Sequence, residues 1–119
     1  MLIAWNGSTE TARAIGFAMP ILKRARQVSV LSVEGAGVPG PTSEEVVDYL
    51  RRNGVAADAL AVSRGTWSVG EAILAKAAEL GCDLLIKGAF TQSRLRQMMF
   101  GGATRHIIGE AELPVFMAH

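Results

Sequence analysis

At 119 residues, half of them hydrophobic and 19% charged, the chain suits one domain built on a single core. A net charge of +1 excludes the strong field that nucleic-acid or acidic-membrane binding requires. The lone Cys82 excludes an internal disulfide framework and a cysteine-built metal cluster, no apolar run reaches membrane-spanning length, and no basic leader-like segment is visible, so a cytoplasmic setting is expected.

Residues 2–5 are a short apolar run ending at Asn6, Gly7 and Ser8, which reads as a buried first strand and a turn. Ser8 or Thr9 can cap the next helix, and Glu10 places an acid in its first turn. Ala12, Ile15, Met19 and Leu22 fall at helical spacing, and Pro20 among them predicts a kink or a split. Residues 28–33 are β-branched and apolar, a second strand, and residues 34–41 are a loop by composition. Thr42 with Glu45 makes a capping box for a second helix, whose buried stripe is Val46, Val47 and Leu50 and which Asn53-Gly54 ends.

Residues 55–63 form a weaker strand, at or near a sheet edge. Ser68 with Glu71 is another capping box, Val69, Ile73, Ala77 and Leu80 line the third helix, and Gly81 ends it. Residues 82–87 are the fourth strand. A glycine-bearing loop, residues 88–104, leads into a fourth helix that runs to about Ala111. Residues 113–118 are the last strand, and Pro114 near its start fits a sheet edge.

This alternation predicts a doubly wound α/β architecture, a five-stranded parallel sheet with helices on both faces. Ligands of such sheets bind beyond the carboxyl ends of the strands, where strand order reverses. If the first and fourth strands flank that point, Asn6-Gly7-Ser8 and the Gly88 loop share one crevice. Strand, glycine turn and helix N-terminus together can hold an anion. Arg94 and Arg96 lie within the loop and Arg105 opens the helix. The competing reading is a turn without a ligand.

Two readings also stand for single residues. Asn6 is a ligand contact or a turn residue. Lys87 is a phosphate partner or a side chain that snorkels to water from a buried strand. Arg94 and Arg96 are ligands or a solvated face. Cys82, Trp5, Trp67 and the run Met98-Met99-Phe100 read as packing residues, with Trp5 next to the crevice. His106 and His119 have no carboxylate or serine partner at an informative spacing, and no general base or activated nucleophile is visible, so no catalytic or metal-binding residue is assigned.

The runs LIAWNGS, CDLLIKG, GGATRHII and LPVFMAH, in this order and spacing, resemble the universal stress protein (UspA) family. The likeness covers essentially the whole chain, 1–119, as a single domain. The short loop after the second strand and the turn SRLR look like the second half of tandem two-domain members. The resemblance implies an adenine nucleotide alpha hydrolase-like fold with strand order 3-2-1-4-5. It also implies a regulatory stress-response module that binds an adenine nucleotide, ATP or AMP with magnesium, weakly or not at all.

The family's nucleotide signature is G-x2-G-x9-G-[ST]. Gly88 matches its first glycine and Gly101 its third, while Thr91 replaces the second and Gly102 replaces the hydroxyl residue. Thr104 lies two residues further on, where it can supply a hydroxyl. Asn6 takes the place of an aspartate near adenine and ribose, and Val33 matches an adenine-contacting valine. The implied nucleotide-binding set is Asn6, Gly7, Ser8, Val33, Gly88, Thr91, Arg94, Gly101, Gly102, Ala103 and Thr104. A slow ATPase and a ligand-free structural dimerisation domain are the alternatives. The resemblance further implies a homodimer, or pairing with a tandem partner domain, through Val115, Phe116 and Met117 of the last strand, with no nucleic-acid or membrane partner.

Overall fold

The computed structural model describes residues 1–89 and 102–119. Strands β1 (Leu2–Ala4), β2 (Val28–Val33), β3 (Ala57–Val62), β4 (Leu85–Gly88) and β5 (Val115–Ala118) form one parallel sheet in the order β3-β2-β1-β4-β5. The described helices are α1 (Thr9–Leu22), α2 (Ser43–Arg52), α3 (Val69–Glu79) and α4 (Gly102–Glu110). Strand order reverses between β1 and β4, so the switch point expected from the sequence lies there.

The apolar runs of the central strands follow from burial on both faces. Successive side chains alternate sides. Ile3, Val28, Val30 and Ile86 join α1 and α2 in one core layer, whereas Leu2, Ala4, Leu31, Val33 and Leu85 join α3 and α4 in the other. Lys87 follows Leu85 by two, so the same alternation carries it to the α3/α4 side.

Helix starts match their sequence signals. Ser8 caps α1, its hydroxyl accepting from the Thr11 N–H at 3.1 Å. Thr42 with Glu45 and Ser68 with Glu71 both form reciprocal capping boxes. The start of α1 is further held by Thr11, which is fully buried.

Several details depart from the sequence reading. Helix α1 runs through Pro20 to Leu22 without splitting. Proline there deprives only the Gly16 carbonyl of a partner, and both residues are exposed to water that can serve it. The buried stripe of α1 is Thr11, Ala14, Ile15, Ala18 and Leu22, with Ala12 exposed and Met19 half-buried. The helix is rotated from the apolar pattern because its first turn is anchored by polar contacts. Leu80, expected on the buried face of α3, is exposed, because it is the C-cap rather than part of the last turn.

The ladders of β4 and β5 start later than their apolar runs. Leu85 N–H donates to the Pro114 carbonyl, and Pro114, with no N–H, precedes the strand instead of lying in it. β3 is likewise trimmed to Ala57–Val62 and is the opposite edge, as its weaker pattern suggested. Among the described residues, no helix is long and apolar enough to cross a membrane.

Candidate functional site

The tip of β1 is built as a polar knot. Asn6 Oδ1 accepts from the Ser8 N–H at 3.2 Å and from the Thr11 hydroxyl at 2.9 Å. Ser8 and Thr11 hydroxyls lie 2.9 Å apart. Asn6 thus uses its carbonyl as a turn residue, bonding the chain two residues on. The sequence left that role open beside a ligand contact, and the structure shows the turn role directly.

The loop of residues 34–41 is latched onto this tip. Val38 N–H donates to the Asn6 carbonyl at 2.9 Å, and the Trp5 indole N–H donates to the Pro41 carbonyl at 2.8 Å. Gly7 adopts φ +82°, and a Cβ on it would collide with the Val38 carbonyl. A Cβ on Gly40 would collide with the Gly7 carbonyl. Two glycines therefore let two backbones touch. Trp5 is a packing residue, as expected, but also the latch of the loop.

Beneath that loop lies a cleft of about 280 Å³ at the carboxyl ends of β1 and β2. Trp5, Val33 and Val38 give it apolar walls, and Asn6, Ser43 and Glu44 are among its polar lining. Glu44 is the one charged side chain among the described lining residues. The α2 N-terminus contributes Thr42, Ser43 and Glu44, a participation that the sequence reading missed. Its signal was the capping box directly after the loop.

The β4 side of the switch point has a different character. A Cβ on Gly88 would lie 2.5 Å from Thr11 N, 2.6 Å from Thr11 Oγ1 and 2.8 Å from the Glu10 carbonyl carbon. The glycine is thus required by the seating of α1 on β4, whatever its part in binding a ligand. Lys87, expected either to snorkel or to meet phosphate, does not snorkel: it is 5% exposed. Its Nζ donates to the Gly88 carbonyl at 2.8 Å and to Thr104 Oγ1 at 3.4 Å. The side chain turns inward because β4 is central and its α3/α4 face is covered, leaving the ammonium no short path to solvent. Burial pushes Lys87 down from 10.5 to about 8, since desolvation penalises the charged form.

The described members of the sequence-derived set lie at one end of the sheet, in two parts. Asn6, Gly7 and Val33 line the cleft at β1 and β2. Ser8 is buried at the start of α1, which bears on Gly88. Gly102 opens α4, Ala103 is half-buried in its first turn, and Thr104 is buried against Lys87. Thr91, Arg94, Arg96, Met98, Met99, Phe100 and Gly101 lie outside the described residues. Val115, Phe116 and Met117 are half-buried on β5, the outer strand, with Phe116 packed toward the α1 layer and Val115 and Met117 toward the α3 layer. His106 is a packing residue against Gly70 of α3. Among the described residues, no three His, Cys, Asp or Glu side chains converge to hold a metal ion.

The fold has close counterparts among solved structures. A universal stress protein from Archaeoglobus fulgidus superposes with a TM-score of 0.71 at 20% identity, over 99% of this chain and 96% of that one. A second, from Archaeoglobus fulgidus DSM 4304, gives 0.74 at 20% identity over 98% of this chain but only 42% of its own. A universal stress protein solved in complex with cAMP gives 0.73 at 18% identity, over 99% and 94%. At these identities the likeness concerns the fold. No curated protein matches the chain significantly in sequence. The model of the Universal stress protein family matches residues 1–119. A five-stranded sheet of this order and a family match over the full length lead to one assignment: the chain belongs to the universal stress protein family.

Proposed function

We propose that this domain is a regulatory stress-response module that binds an adenine nucleotide weakly at the carboxyl ends of β1, β2 and β4. The cleft beside Asn6 and Val33 carries the reading. Its 280 Å³ falls just below the roughly 300–1,000 Å³ usual for small-molecule sites, which suits a nucleoside better than a whole triphosphate. Trp5, Val33 and Val38 offer a base an apolar face, and Asn6 and Ser43 offer polar groups. Glu44 disfavours phosphate there. The phosphates are better served beyond Gly88, at the first turn of α4, where helix N–H groups point outward. Any magnesium would ride on the phosphates, which suits its preference for oxygen ligands and water. The cAMP complex of a protein with this fold agrees with a nucleotide ligand.

Weak binding follows from the signature changes at Thr91 and Gly102. A calorimetric titration with ATP, AMP and cAMP is expected to give dissociation constants between about 10 μM and 1 mM, or roughly −7 to −4 kcal/mol. The double variant Thr91→Gly, Gly102→Ser should tighten ATP binding by about tenfold or more, since a hydrogen bond to a charged group contributes roughly 1.5–3 kcal/mol. Absence of heat with millimolar nucleotide, in both the original and the double variant, would refute the reading.

A second reading, a structural domain without a ligand, is favoured by the latched loop and by the use of Asn6 Oδ1 inside the fold. Either way, β5 provides the assembly surface in this proposal. It is the outer strand, and an apolar edge is usually covered. Pairing with β5 of a second copy, or with a tandem partner domain, would cover it about a two-fold axis. Val115→Asp is expected to shift the chain toward monomer or insolubility in sedimentation. A monomer at high micromolar concentration for the unaltered chain would exclude the homodimer.

A further inference from the structure

Lys87 and Thr104 tie the end of β4 to the first turn of α4, and among the described residues no counter-charge accompanies the tie. The lysine is buried, yet residues 84–109 contain no aspartate or glutamate. Its ladder neighbours are Ala4 on β1 and Met117 on β5. From α4 the ionisable groups are Arg105 and Glu110, both exposed, and His106, which lies against Gly70. On α3, Glu71 is engaged in its capping box and Lys76 pairs with Glu79 at 3.0 Å. Asp83 sits before β4, 3.9 Å from the chain's N-terminal ammonium. Among the described residues no carboxylate pairs with Lys87, and through Thr104 it lies beside the positive end of α4. A buried cation in such a place is stabilised by an anion.

We propose that a phosphate-bearing ligand binds this domain with uptake of a proton by Lys87, so that its affinity falls as pH rises. The proposal rests on the nucleotide-binding reading above and adds its regulation. Without ligand, burial holds Lys87 at about 8. A phosphate near the first turn of α4 favours the ammonium and raises that value. Below about pH 8 the proton is present with and without ligand. Above it, the ligand-free domain has lost the proton that binding must restore. Affinity then falls by up to about tenfold per pH unit until the raised value is reached.

The test compares AMP with adenosine in calorimetric titrations of the whole chain at pH 7.5, 8.5 and 9.5. The phosphate of AMP, with a second pKa near 6, stays ionised throughout. AMP is expected to weaken by about tenfold from pH 7.5 to 9.5, and adenosine by less than about twofold. Near pH 8.5 the AMP heats should vary with the ionisation enthalpy of the buffer in the sense of proton uptake, a readout that needs no variant. Lys87→Met should flatten the AMP profile. Lys87→Arg, which keeps its charge throughout, should flatten it while preserving binding. A flat AMP profile in the unaltered chain, or a parallel fall for adenosine, overturns the proton linkage but leaves the nucleotide site standing. Binding of neither ligand at any pH removes both.

Discussion

Gly88→Ala is expected to destabilise the domain by about 3 kcal/mol, a loss on the order of 10 °C in melting temperature. The added Cβ would sit 2.5 Å from Thr11 N and 2.8 Å from the Glu10 carbonyl carbon, both backbone atoms. A side-chain end could rotate away, but this backbone is held by the Ser8 cap and the Asn6 bonds. Relief would require α1 to lift from β4, opening the layer that contains Ile15, Ala18 and Ile86. Urea unfolding measures the effect. An unchanged midpoint would show that α1 moves off β4 at little cost, and Gly88 would then be required only by a ligand.

Lys87→Met should erase a rise in stability of about 3 kcal/mol between pH 8 and 10.5. The lysine holds its proton to about pH 8 in the folded domain and to 10.5 when unfolded. Between these values the unfolded chain binds more protons, so stability increases with pH. Below pH 8 the full penalty of the buried ammonium remains. The gap of 2.5 units corresponds to about 3 kcal/mol at 1.36 kcal/mol per unit. Methionine has a similar length and no charge, so the difference between the two chains should shrink or reverse across this window. At pH 7 the relief is partly offset, because the Gly88 carbonyl and the Thr104 hydroxyl lose a donor, at roughly 1–3 kcal/mol. Urea midpoints at pH 7, 8, 9 and 10 for both chains decide the matter. Parallel curves would mean that the Lys87 proton is not displaced by folding.

The sequence by itself determined the element order, the α/β class and the helix starts. Ser8, Thr42 with Glu45 and Ser68 with Glu71 each act within three residues, and a local pattern can be read locally. The buried central strands were equally legible, because burial on both faces forces continuous apolar runs such as Leu2–Ala4. The family resemblance pointed to Asn6, Val33 and Gly88, with Thr104 two residues beyond the signature's hydroxyl position, and these four lie at one end of the sheet.

What only the tertiary structure decided depends on residues far apart in the chain. The Trp5 indole finds the Pro41 carbonyl across 36 positions, and nothing in either neighbourhood announces that pairing. Gly88 looks like a ligand-loop glycine in sequence, and only the approach of Thr11 shows that packing requires it as well. Lys87 at the end of a strand admits both an inward and an outward rotamer. The cover supplied by α3 and α4, and the Thr104 hydroxyl 17 positions away, select the inward one. The rotation of α1 away from its apolar stripe has the same origin. Helical periodicity fixes which residues share a face, but the face that meets the sheet is chosen by contacts, here the polar knot of Asn6, Ser8 and Thr11 against Gly88.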